Sequence, residues 1–155
     1  MGVNEMTLTE RVESFFIEDG WSPEKLESAP VYRMKYSDRN GEWTCLAIVK
    51  EEHQQFLFYS ICPANALEHR RSAILDYLNR LNVILDVGNF EMDMEDGEIR
   101  FRTSIDAEEE PLSSTLIKNL VYMNVLTMNH YLPGLIAVNL AGEDPEEVVK
   151  RQHPD

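Results

Sequence analysis

Two cysteines are too few to build a disulfide framework, and Cys45 and Cys62 have no zinc-ligand spacing to each other or to a histidine. They read as small hydrophobes inside strands. Long apolar runs are missing too: no stretch reaches the eighteen or so residues a membrane-spanning helix needs. The first residues, MGVNEMTLTE, carry neither a basic patch nor an apolar leader segment. Thr7 also stands one place beyond the hydroxyl position of a myristoylation signal. A cytoplasmic chain is therefore expected. Bases are scarce, 14 Lys and Arg against 28 Asp and Glu, for a formal charge of −14. Such a field repels nucleic-acid phosphates and anionic headgroups, so neither nucleic acid nor membrane is an expected partner. It favours basic partners, or it serves solubility alone.

Catalytic signatures are absent as well. There is no G-x-S-x-G, and the seven glycines are scattered without a phosphate-cradling pattern. His53, His69, His130 and His153 stand at no ligand spacing to one another or to a cysteine. Of these, His130, beside Tyr131, is the one expected to be buried. Glu91-x-Asp93-x-Glu95-Asp96-Gly97 has the acids of a calcium loop. Its glycine falls one place late, and Arg102 occupies the position of the bidentate acid. No catalytic, metal-ligating or cofactor-binding residue is assigned, and an enzyme is not expected.

What the chain does have is a set of sharply written elements. Val87 to Asp106 reads as a β-hairpin around Asp96-Gly97. A two-residue loop there sets Met94 against Ile99, Met92 against Phe101 and Phe90 against Thr103, with Asp93 facing Arg100 and Glu91 facing Arg102 on the other side. Asn40-Gly41 predicts a second hairpin, pairing Tyr36 with Cys45, Met34 with Ala47 and Tyr32 with Val49. Strands are expected at 31–37, 42–50 and 55–62. A capping box, Thr7 with Glu10, opens a helix over 8–19. A second helix is expected over 64–81 after Pro63, with an apolar stripe of Leu67, Ile74, Leu78 and Leu81. A third runs from Ser113 or Ser114 to Tyr131, apolar around most of its circumference and so the most buried, until Pro133-Gly134 interrupts it. The segment 143–155 forms a short acidic helix and tail, and residues 1–6 are expected to be loose. The fold class is α+β: one domain over 1–155, a two-layer sandwich in the order α-β3-α-β2-α, with a mainly antiparallel sheet and the helices packed on one face.

The strands at 42–50 and 55–62 are apolar on both faces. If helices cover Trp43, Val49, Phe56 and Phe58, then Leu46, Ile48, Leu57, Tyr59 and Ile61 share the opposite face. That patch is either covered by a helix or the C-terminal segment, or it is a contact for a second copy or a partner segment. Met34, Met92, Met94, Met123 and Met128 are expected to make the nearby packing adaptable. A small-molecule pocket between the third helix and the sheet is the competing expectation.

LNRLN at Leu78 to Asn82, GNFEMDMEDGEIRFRTSID from Gly88, and YLPGLIAV from Tyr131 resemble the YbjN family of bacterial proteins. The element order is similar to that of the small type III secretion chaperones, whose fold that family is thought to share. The likeness covers 78–138, and residues 1–60 match in element order only. It implies a regulator of sensory transduction or stress, or a chaperone-like adaptor. Chaperones of that fold are small, acidic, non-enzymatic, usually dimeric, and bind extended segments of partner proteins.

Overall fold

A computed structural model describes residues 6–27 and 30–154. Of the expected loose N-terminus, residues 1–5 lie outside the described residues. Helix α1 (Leu8–Glu18) begins at the expected capping box: the Thr7 hydroxyl accepts from the Glu10 amide at 3.0 Å, and the Glu10 carboxylate accepts from the Thr7 amide at 3.1 Å. Leu8, Val12, Phe15 and Phe16 form its buried stripe.

Six strands follow in one sheet: β1 (Glu24–Lys25), β2 (Val31–Asp38), β3 (Gly41–Lys50), β4 (Gln55–Ile61), β5 (Asn89–Met92) and β6 (Ile99–Asp106). The spatial order is β1-β2-β3-β4-β6-β5, and each neighbouring pair is antiparallel. β1 is an addition to the expected set, lying within the polar connection after α1.

Both hairpins form at the expected places with a register displaced by two residues. Tyr36 faces Trp43, Met34 faces Cys45 and Tyr32 faces Ala47, because the loop is Arg39-Asn40 rather than Asn40-Gly41. Met92 faces Ile99, Phe90 faces Phe101 and Glu91 faces Arg100, because the second loop runs from Asp93 to Glu98. That longer loop is held from outside. Arg71 donates to the Met94 carbonyl at 3.1 Å, and the Ala66 amide donates to the Gly97 carbonyl at 2.7 Å. A displacement of two preserves the side-chain parity, so the residues that remain in the strands keep their expected faces, while Met94, expected to face Ile99, falls in the loop and is exposed.

Helix α2 spans Arg71–Ile84, starting later than expected. The Ala66 and Leu67 amides are bound to Gly97 and to the Asn139 side chain, which holds 63–67 in an irregular path. Leu67 is consequently exposed, and Ile74, Tyr77, Leu78 and Leu81 form the buried stripe. Helix α3 spans Ser114–Asn139 without a break at Pro133. Pro133 cannot donate to the Asn129 carbonyl one turn back. The Asn40 side chain does so instead, at 2.8 Å, while the Asn40 amide donates to Asn129 Oδ1 at 3.0 Å. The β2–β3 turn thus fills the gap in the helix ladder. Helix α4 (Pro145–Gln152) starts where expected, capped by Asp144.

The helical layer takes the face that bears Trp43, Cys45, Val49, Phe56, Phe58, Phe101 and Thr103. Phe16 of α1 stacks on Phe58 with ring centres 5.7 Å apart. From α3, the Asn124 amide group donates to the carbonyls of Phe58 at 2.9 Å and Phe101 at 3.0 Å. α2 clamps the hairpin through Asn82, which donates to the Phe90 carbonyl at 3.0 Å and accepts from the Phe90 amide at 2.8 Å. This clamp joins LNRLN to GNFE physically.

Candidate functional site

The outer face of the sheet follows from strand parity. Residues that alternate with the core positions of β3 and β4 must point away from the helices, and these are Leu46, Ile48, Leu57, Tyr59 and Ile61. Register brings them together: Ile48 faces Leu57, Leu46 faces Tyr59, and Ile61 stands opposite Thr44. Each is half-buried. With the helices on the other face, that shielding comes from neighbours within the sheet.

Val31 belongs to the same surface and was not expected there. The predicted register sets it opposite Lys50; the observed one sets it opposite Ile48. Bases frame the apolar strip on both sides. On β2, Arg33 pairs with Glu24 at 3.1 Å and Lys35 with Glu42 at 3.8 Å. On β6, the Arg100 guanidinium lies over the Tyr59 ring, 5.5 Å from its centre. Arg100 pairs with Glu91 at 3.2 Å and Arg102 reaches the same carboxylate at 3.8 Å. The expected Glu91–Arg102 couple is thus kept, while Arg100 pairs with Glu91 and, at 3.6 Å, with Glu98 in place of the expected Asp93. The methionines are not beside this face. Met34 and Met128 are in the core, Met92 adjoins it, and Met94 and Met123 are exposed on the hairpin loop and α3.

Reactive chemistry is poorly served elsewhere. Burial pushes the Cys45 thiol up to about 12 and the Cys62 thiol up to about 11, so neither offers a thiolate nucleophile at neutral pH. His130 is exposed rather than buried, with its ring 4.7 Å from that of Tyr131. His153 approaches the Tyr131 hydroxyl at 2.6 Å. The acids of the hairpin loop bind the loop's own backbone: Asp93 accepts from the Glu95 amide and Asp96 from the Glu98 amide, both at 2.9 Å. Among the described residues no group of three or more His, Cys, Asp or Glu side chains gathers as metal ligands would. The interface between α3 and the sheet is filled by Ile117, Val121, Val125 and Met128, all fully buried. A cleft of about 300 Å³ lies instead at the sheet edge, beside Trp21, Ser22, Arg33 and Met34. No described helix is long and apolar enough to cross a membrane.

Two solved structures share this architecture. One, described as "YbjN, a putative transcription regulator from E. coli", has a TM-score of 0.63 at 10% identity, over 89% of this chain and 92% of that one. The other is the HopA1-SchA chaperone-effector complex, with a TM-score of 0.53 at 14% identity over 81% of this chain and 89% of that one. None of the curated proteins matches the chain. Residues 9–136 match the family model described as "YbjN: Putative bacterial sensory transduction regulator". With that match running from α1 through most of α3, the chain belongs to the YbjN family.

Proposed function

We propose that this protein is a non-enzymatic interaction module, a cytoplasmic regulator or chaperone-like adaptor that holds a segment of a partner protein on the outer face of its sheet. The observation that carries the reading is the strip Leu46, Ile48, Leu57, Tyr59 and Ile61, extended by Val31 and left without a helix over it. Apolar surface framed by charged pairs is the make-up of a docking site with a hydrophobic centre and a polar rim. The family is described as regulatory, and a protein of similar fold is solved as a chaperone with its effector. Both support an adaptor over an enzyme.

Co-purification from the native host, followed by binding measurements with the purified partner, tests this. Replacing Leu46 and Ile48 together by Lys is expected to abolish binding while the circular dichroism spectrum and melting temperature stay close to those of the parent. Undiminished affinity in a folded double variant overturns the assignment of the face. Among the described residues the space between α3 and the sheet is filled by Ile117, Val121, Val125 and Met128, which weighs against the competing sensor reading. A rise in melting temperature with a metabolite would revive it.

A further inference from the structure

Taken across the strands, the rows of the sheet order its outer face by charge. Register sets Glu24, Arg33, Leu46, Tyr59 and Arg102 in one row. The next row holds Lys35, Thr44, Ile61, Arg100 and Glu91. Bases therefore border the apolar strip directly on both sides, while Glu24 and Glu91 stand one strand farther out. With Lys50, the outward strand positions carry five of the chain's 14 bases. They carry four of its 28 acids, the other two being Glu42 and Asp106 at strand ends. In a chain of −14 this face is close to neutral, and its inner border is positive. The bordering guanidinium groups also keep donors to spare. Both contacts of Arg33 with Glu24 pass through Nη2, and Arg102 reaches Glu91 only at 3.8 Å. Arg100 Nε is buried without a hydrogen bond among the described residues, since Glu91, 3.2 Å away, lies off the N–H direction.

We propose that the segment held on the strip is an acidic amphipathic helix, with Asp or Glu along both borders of its apolar stripe. The inference rests on the reading that the strip holds a partner, and adds that partner's chemistry. Backbone accounting selects the helix. A strand laid on an apolar face would bury amides and carbonyls that the sheet below cannot reach, whereas a helix satisfies its own. Dimensions agree. The bases of β2 and β6 are three strand spacings apart, about 14 Å, and a helix about 10 Å across lies between them. Three rows along the strands span roughly 13 Å, the length of about nine helical residues. Charge selects the acids. The field of the whole molecule favours a basic partner, but most of it comes from carboxylates on helices and loops. Those on the helical layer lie farther from the outer face than the width of a helix, about 10 Å. At roughly 0.15 M salt the screening length is about 8 Å, so contact with the bordering bases outweighs that field. A carboxylate above Arg33 or Arg102 gains a forked, charge-assisted pair, whereas an ammonium there meets like charge.

Synthetic peptides of about 18 residues, long enough to form a helix, test the inference on the full chain. Three of them share one stripe of Leu and Ile and carry Glu, Gln or Lys along its borders. Binding at the strip is the part that Leu46→Ser with Ile48→Ser abolishes, a change that adds no charge. By isothermal titration calorimetry in roughly 0.15 M salt, the Glu peptide is expected to bind there about tenfold tighter than the Gln peptide, with the Lys peptide weakest. That advantage is expected to fall below about threefold in 0.5 M salt, and also in the variant carrying both Arg33→Gln and Arg102→Gln. The salt series needs only the parent chain, so it decides should the variant fail to fold. A Glu peptide with proline at its centre is expected not to bind. A Gln or Lys peptide that binds the strip as tightly as the Glu peptide overturns the charge inference and leaves the strip as the site. A Glu preference that persists undiminished in high salt does the same, and undiminished binding of the proline peptide overturns the helix. Failure of every peptide to bind at about 1 mM, or binding that the two serine substitutions leave intact, removes the reading of the strip and this inference together.

Discussion

Glu51 links two parts of the chain more than forty residues apart. Its carboxylate accepts from the Thr9 amide at 2.9 Å, the Thr9 hydroxyl at 2.8 Å and the Leu8 amide at 3.2 Å. The capping box satisfies Glu10, so Glu51 takes the amides that Thr7 cannot reach. Burial works to raise the Glu51 pKa, but the hydrogen bonds from Thr9, Gln54 and Leu8 outweigh it and hold the carboxyl below its usual range. A depressed folded-state pKa contributes stability above the unfolded value, and that stability is lost as pH falls through the folded one. Glu51→Ala is therefore expected to lower stability by about 1–2 kcal/mol at pH 7, with the deficit shrinking toward pH 3. Urea titrations at the two pH values check this, and an unchanged deficit would separate the loss from ionisation. Asn40 offers a second test at this scale. Asn40→Ala removes the donor that replaces the missing Pro133 amide, at a cost of about 1 kcal/mol. In a Pro133→Ala background the helix supplies its own donor, so the same change is expected to cost less by at least about 0.5 kcal/mol. A double-mutant cycle without coupling would show that the two do not share that carbonyl.

Register is decided between elements rather than within them. A Gly97 in the left-handed region (φ 80°) is what the Asp-Gly signal predicts, yet the glycine closes a longer loop than the signal implies. The reason is its neighbour: a Cβ on Gly97 would stand 2.6 Å from the Ala66 carbonyl oxygen. The loop is docked on the segment before α2, and docking outweighs the preference for a two-residue turn. Gly97→Ala is expected to cost about 2 kcal/mol, through both its dihedral and that contact. A loss under about 0.5 kcal/mol in chemical denaturation would mean that the loop moves freely off Ala66. Gly134 plays a similar part on α3, where a Cβ would strike the Tyr77 hydroxyl that donates to Gln152 at 2.7 Å. α2, α3 and α4 meet there, so the YLPGLIAV stretch is legible as a packing motif once the helices are assembled.

The whole molecule is a strongly acidic body with two apolar exposed surfaces, the strip of the sheet, framed by charged pairs, and the outer side of α3, which carries Lys118. Self-repulsion at −14 opposes compaction, and salt weakens it, since the screening length falls from about 10 Å at 0.1 M toward 3 Å at 1 M. The melting temperature is expected to rise between about 0.05 M and 0.5 M sodium chloride, by a few degrees for a chain of this size. A scanning calorimetry series measures it, and a flat or falling trend would show that paired charges dominate the field. Sulfate would add a separate stabilisation through surface exclusion, so chloride is the cleaner probe.

The sequence alone determined most of the elements and which face the side chains of the paired strands take, because helix caps, periodicity and strand parity are local. The capping box at Thr7, the alternation of β3 and β4, the two-faced hairpin and the residues of the outer strip were all readable on that basis. Tertiary structure decided the register of both hairpins, through Asn129 holding one turn and Ala66 with Arg71 holding the other. It decided that α3 runs on through Pro133, because the donor that replaces the proline comes from another part of the chain. It also decided that one apolar side of α3 faces solvent: periodicity shows that a helix is apolar all round, but only the space between its neighbours determines how much of that surface is covered.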